Sequence, residues 1–380
     1  MHDAERSRID TLLALTGIPT ATGKEDRVIA FIEGWAKQRS PRFALDRDAH
    51  GNLLLRPSSL DTSTTPSILF TAHLDHPAFV VEQIENDRRV ELSFRGGVRQ
   101  EYFDNKPTLA ICARGGVVRA TIESATPASE TTAHRTCVAR CESTEGIRVG
   151  DVATWDLPAP FIREGSLHAP ACDDLAALAA ALCAIDECPT DAPVGVLMTR
   201  AEETGFVGAI GACRDGFIPA NAKLIALENS RSFPHDSPIH AGPIVRVGDR
   251  MSTFSPTLTA SVAKVCESLV KQHSLRERPF KWQRKLMPGG ACEATCYCAY
   301  GYDATCVCLP LGNYHNMGDL DLVEKGETSK AILASERIGV DDYLNLVDML
   351  VACAKGLDAS EPIREKLEKM FEQRRGVLSA

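Results

Sequence analysis

The chain has 380 residues, and 42 Lys+Arg against 51 Asp+Glu give a formal net charge of −9. With 44% apolar and 24% charged residues it reads as an ordinary globular chain, long enough to bury a large core without disulfide staples. The acidic balance, without a long Lys/Arg run, argues against nucleic-acid and membrane-surface partners, both of which need a concentrated positive field.

Taken in order, the pattern predicts helices over residues 4–15 and 25–38, then short strands over 52–56 and 67–71, the second nearly all apolar and suited to burial. From about residue 85 the texture changes. Short strands are predicted over 90–94, 108–113, 116–122, 136–141 and 151–155, separated by Gly-Gly pairs and a polar tract over 123–132, with no helix among them. Such spacing points to a small antiparallel barrel or sandwich. Alternation of helix and strand resumes after Phe161: a helix after Asp173, strands over 194–199, 223–227 and 304–310, and a helix near 205–213. The longest apolar run, 175–185, has 11 residues, which makes it a buried helix rather than a membrane span of ~20. Two tail helices, 340–355 and 362–373, are expected as surface cover.

The expected architecture is an α/β fold with a mostly parallel sheet flanked by helices, built from residues 1–84 and 163–380. An all-β, barrel-like domain over 85–162 interrupts it. The N-terminus lacks the cationic and apolar regions of a secretory signal, so the chain is expected in the cytoplasm. Its 14 cysteines are then expected as free thiols.

Five segments place acidic or imidazole groups where a predicted strand ends, which is where open α/β sheets build their sites. His73 and Asp75 follow the apolar strand and face one side of an extended segment, so the carboxylate can fix the imidazole tautomer. Asp173-Asp174 starts the Ala/Leu-rich helix. A cap explains one aspartate, and the other is free to bridge two cations. Glu202-Glu203 enter a Gly-containing turn; adjacent carboxylates are costly in a cleft unless cations relieve them, and one can ligate while the other takes a proton from water. Glu228 and His315 follow the next two strands. Each segment alone has an ordinary reading as a solvated loop or a helix cap; the ordered set of five does not.

Together these segments resemble the dinuclear zinc aminopeptidases of the tetrahedral-aminopeptidase and glutamyl-aminopeptidase type, within a wider clan of aminoacylases and zinc carboxypeptidases. The resemblance runs through His73-Leu-Asp75-His-Pro-Ala-Phe79, Gly150-Asp-Val-Ala-Thr-Trp-Asp156, Asp173-Asp174, Glu202-Glu203-Thr-Gly-Phe-Val-Gly208 and His315. It implies two divalent metal ions, zinc foremost with cobalt or manganese as alternatives. His73 and Glu228 would be terminal ligands of one, Glu203 and His315 of the other, and Asp173 the bridge. It further implies Glu202 as general base, Asp75 as the residue orienting His73, and an all-β insert that takes part in subunit contacts, hence a homo-oligomer. Glu293, after a Gly-rich turn, matches an acidic residue on the substrate-facing wall; a first-turn helix glutamate is the simpler reading. The expected activity is hydrolysis of the N-terminal bond of short peptides. The alternatives are an amidohydrolase or deacylase on a non-peptide or N-acyl amide, and an inactive metal-binding scaffold.

The chain departs from the family pattern at three places: Leu175 stands where an Arg is usual, Glu228 where many relatives carry Asp, and His315-Asn316 where His-Ser-Pro is usual. Cys292, Cys296, Cys298, Cys306 and Cys308 lack the paired C-x-x-C spacing of structural zinc sites, so core packing is expected for them.

Overall fold

A computed structural model describes residues 3–60, 66–129, 132–275, 278–357 and 363–379. The apolar run after Asp173 forms the helix Leu175–Glu187, in which every residue from Leu175 to Ile185 is buried. Alanine and leucine are strong helix formers, and a helix apolar all round has to lie inside. It packs between the helices Asp3–Thr16 and Val340–Ala354 against one face of an eight-stranded sheet.

That sheet has the order Phe43–Arg47, Leu53–Pro57, Val194–Thr199, Ile68–His73, Lys223–Arg231, Asp303–Leu311, Ile244–Asp249, Gln283–Met287. The four central strands, Val194–Thr199 through Asp303–Leu311, run parallel. Antiparallel partners join them at Leu53–Pro57 and Ile244–Asp249, so the sheet is mixed. Period two sorts the side chains into two cores. Ile68, Phe70 and Ala72 face the helix Leu175–Glu187, whereas Leu69 joins Leu197, Leu224 and Tyr297 on the opposite face. Burial on both faces explains why these strands read as continuous apolar runs.

Between His73 and Asp173 lies a closed six-stranded antiparallel barrel, with the strands Ala78–Asn86, Arg89–Arg95, Thr108–Ala113, Gly116–Thr126, Arg135–Cys141 and Val152–Trp155. Its core is aromatic: Phe79 meets Phe94 at 4.8 Å and Trp155 at 4.7 Å between ring centroids, and Phe103 lies 5.3 Å from Trp155. Truncating any of these rings to alanine costs about 3–5 kcal/mol. Met317, Leu320 and Val323, from the far end of the chain, complete this cluster. Tyr102 Oη donates to the Gly318 carbonyl at 2.6 Å, and Asn105 donates to that of Ala331 at 2.7 Å.

Three expectations need correction. The helix Val340–Ala354 is core, with Tyr343, Leu346, Val347 and Leu350 fully buried, because its apolar face packs on Leu175–Glu187. The tail helix Ile363–Arg374 exposes Leu367 and Phe371; Pro362 is outside the described residues, as are residues 130 and 131 of the polar tract. The strand ending at Leu227 in the sequence reading continues to Arg231, so Glu228 lies within it. A one-turn helix, Glu101–Asp104, interrupts the strand-rich segment. All 14 cysteines are free, and no helix is long and apolar enough to cross a membrane among the described residues.

Candidate metal centre

His73 ends its strand and is 1% exposed. Its Nδ1 lies 3.1 Å from the Asp75 main-chain carbonyl and 3.5 Å from the Asp75 carboxylate. A carbonyl can only accept, so Nδ1 carries the proton and Nε2 is turned the other way. Nε2 faces Asp173 Oδ1 at 3.4 Å and Glu228 Oε2 at 3.8 Å.

His315 sits past the strand Asp303–Leu311, in a turn where Asn313, His315 and Asn316 all take positive φ. Its Nδ1 donates to the Gly97 carbonyl at 2.7 Å, a group supplied by the loop after the barrel strand Arg89–Arg95. The remaining nitrogen faces Glu203 Oε1 at 3.3 Å and Asp173 Oδ2 at 3.7 Å. Asp173 therefore points one oxygen at each imidazole.

Asp75 does more than neighbour His73. Its carboxylate accepts from Thr22 Oγ1 at 2.7 Å and from the main-chain amides of Glu202 and Glu203 at 3.0 and 3.2 Å, which fixes the glutamate turn against the histidine strand. That turn closes tightly: a Cβ on Gly208 would stand 2.3 Å from the Arg200 carbonyl oxygen, so the final glycine of the motif is a steric requirement. Buried Glu25 supports it from below, accepting from the Ala201 amide and pairing with Arg200 at 2.6 Å.

Asp174 holds the cap position of Leu175–Glu187 yet makes no cap bond, so the capping explanation for this pair fails. Its carboxylate turns to Asn229, which donates to it at 3.3 Å. Glu293 lies in the first turn of the helix Glu293–Ala299, 2% exposed, and accepts from Tyr297 Oη at 3.0 Å. Cys306 and Cys308 are fully buried with sulfurs 3.5 Å apart, and among the described residues no cysteine belongs to a metal-sized donor group.

Three donor groups have ligand atoms within 4.8 Å of one another: His73, Asp173 and Glu228; Asp173, Glu203 and His315; and His73, Glu202 and Glu203. Glu293 is in none of them. The electrostatics call for cations. Burial lifts Glu228 from 4.5 to about 8 and Glu202 and Asp174 well above the usual carboxylate range. Burial would lower both imidazoles, but Glu202 beside His73 and Glu203 beside His315, with Asp173 common to both, hold them well above their ordinary value. The two histidines in turn overcome burial to hold Asp173 low. Asp173 Oδ1 and Asp174 Oδ2 are buried without a hydrogen-bond partner in the described residues. Nitrogen and oxygen donors, crowded carboxylates and an orphaned aspartate oxygen fit divalent metal ions.

The sequence reading missed His76, whose Nδ1 donates to the Asp173 carbonyl at 2.7 Å and whose Nε2 meets Asn316 Oδ1 at 3.2 Å. It stands one residue after Asp75, so the quoted motif contained it without revealing its partner. Gly97 and Glu336 were also missed.

A mixed α/β sheet that gathers imidazoles and carboxylates at its strand ends, with a barrel spliced in beside them, defines a scaffold whose donor groups could hold metal ions. The M42 glutamyl aminopeptidase profile matches residues 51–325, and the chain belongs to that family. Solved structures with the same fold include an aminopeptidase from the archaeon Desulfurococcus kamchatkensis, 19% identical over 94% of this chain and 96% of that one, with a TM-score of 0.71. The TET1 peptidase of Pyrococcus horikoshii, described as assembling into a tetrahedron or a large octahedral shell, is 18% identical over 91% and 99%, with a TM-score of 0.70. A TET aminopeptidase from a marine sediment thaumarchaeon is 19% identical over 93% and 98%, at 0.69.

Proposed function

We propose that this chain is a cytoplasmic metal-dependent aminopeptidase that hydrolyses the N-terminal bond of short peptides. The observation that carries the reading is the convergence of His73, Asp173 and Glu228 with Glu203 and His315 around one aspartate, with Glu202 beside them. His73 and Glu228 would hold one ion, Glu203 and His315 the other, with Asp173 shared; zinc suits the donors best, and cobalt or manganese are alternatives. Bound there, such ions supply Lewis acidity toward a scissile carbonyl and lower the pKa of water.

The protein's own groups divide the remaining work. Glu202 accepts a proton from the attacking water and returns it to the leaving amine, a task suited to a carboxylate whose burial raises its proton affinity. Asp75 holds the Glu202 and Glu203 amides and so aims both side chains. The Asp75 and Gly97 carbonyls fix the two imidazoles with Nε2 inward. The insert over 85–162 would supply subunit contacts in a homo-oligomer, a role supported by its exposed Val117 and Val149 and by the shells described for the Pyrococcus relative.

Incubating the zinc-loaded protein with aminoacyl anilides and short peptides, alongside N-acyl amino acids, tests this. Release of the N-terminal residue is expected. Turnover of N-acyl amino acids alone would make the chain a deacylase, and turnover of neither would leave an inactive scaffold.

A further inference from the structure

Glu336 is a fully buried carboxylate, and no Lys or Arg among the described residues pairs with it. Such a charge persists only when its oxygens accept hydrogen bonds, and among the described residues the hydrogen bonds Glu336 accepts come from two segments of the centre. Oε2 accepts from the main-chain amides of Cys172 and Asp173 at 2.7 and 3.0 Å; Oε1 accepts from the amide of His315 at 2.9 Å. The backbone around it repeats this arrangement. The strand Glu336–Gly339 pairs antiparallel with Ser166–Ala169, which leads into Cys172 and Asp173, placing Ala169 opposite Glu336. On its other side Arg337 exchanges two main-chain bonds with Gly312, at 2.8 and 3.0 Å, three residues before His315. One residue thus stands between two segments 315 − 173 = 142 positions apart in the chain.

We propose that Glu336 is a positioning residue whose single carboxylate sets the spacing between Asp173 and His315, and thereby the geometry of the cation pair. This rests on the reading of those two residues as ligands. The chemistry requires two acceptor oxygens on one rigid plane. A glutamine of the same shape offers one acceptor and one NH2, so whichever way it turns, one segment meets a donor instead of an acceptor. Asp342 provides the contrast: it too is buried, 1% exposed, and accepts two main-chain amides, from His240 and Gly242 at 2.6 and 2.7 Å, but away from the cluster.

The test is a zinc titration, by calorimetry, of chelator-stripped wild type, E336Q and D342N, with melting curves and steady-state kinetics on the zinc-loaded enzymes. For E336Q we expect a folded protein with zinc affinity reduced about 10- to 100-fold and a fall in kcat of similar size while KM stays within about threefold, and for D342N a lowered Tm with wild-type zinc affinity. Wild-type affinity in folded E336Q, or equal losses in both variants, would overturn the positioning role. If E336Q does not fold, E336D, which keeps the charge on a shorter arm, is titrated in its place. Weakened zinc binding in it supports the proposal, and wild-type affinity, or failure to fold as well, overturns it. Wild type that takes up no zinc would sink the ligand reading itself, and this inference with it.

Discussion

His73 takes its setting from its own strand. The acceptor of its Nδ1 proton is two residues further on, and the carboxylates it faces come from the same sheet, at Glu228, and from the turn that leads into the helix packed on it, at Asp173. His315 draws on three parts of the molecule: a turn with left-handed backbone, a carbonyl from the barrel at Gly97, and the Glu336 carboxylate, which accepts a hydrogen bond from its main-chain amide. One half of the cluster is thus a product of sheet register, which period two and strand length already specify. The other half takes one of its hydrogen-bond acceptors from the barrel.

The substitution with the largest expected effect acts on both halves alike. Glu202→Gln keeps the volume but cannot accept a proton from water, so kcat should fall about 10²- to 10⁴-fold with zinc content unchanged; retained turnover would move the base elsewhere. Next come His73→Ala and His315→Ala, each expected to lose one zinc equivalent and on the order of 10²-fold in activity. Only His315→Ala should also speed amide hydrogen exchange in the barrel loop around Gly97; equal exchange in the two variants would erase the distinction. A subtler probe is Gly96→Ala. Gly96 has φ 133°, and a Cβ there would stand 2.6 Å from that of Pro77, so the loop has to shift and carry the Gly97 carbonyl with it. We expect about tenfold weaker binding of one zinc, with the other unaffected.

The smallest effect is in stability against pH. Glu228 rises from 4.5 to about 8 by burial, Glu202 rises with it, and both imidazoles are held above their ordinary value. For every one of these groups the folded state binds its proton more tightly than the unfolded chain does. That stability is complete below the unfolded values and is lost as pH climbs through the folded ones. Asp75 and Asp173 are shifted downward, so what they contribute is present above about pH 4 and constant through this range. The Tm of the chelator-stripped protein should therefore fall from about pH 5 to about pH 8, whereas zinc, replacing those protons, should flatten the curve. A stripped protein whose Tm rises over that range would contradict it.

The sheet-built half was also the more legible from sequence. Apolar runs marked Ile68–His73 and Val194–Thr199, and acidic or imidazole groups at their ends drew attention to His73 and Glu202-Glu203. The contacts that fix those groups were not visible, because Asp75 meets amides 127 and 128 residues away and Gly97 contributes only a carbonyl, which every residue possesses. Glu336 carried no motif. The helix Pro256–Gln272 passed unread although its start was marked: Ser255 caps it by accepting from the Leu258 amide, with proline next in line. Gln283–Met287, an edge strand with three polar residues followed by Leu286 and Met287, offered no apolar alternation to detect.

The way residues 317–323 lodge in the barrel's aromatic cluster bears on any attempt to trim this enzyme to a minimal form. Excising the insert would not free a self-sufficient catalytic unit. It would expose Met317, Leu320 and Val323 to water and strip an imidazole of its hydrogen-bond acceptor in one stroke. Shape, solubility and reactivity are here tied by a single seam.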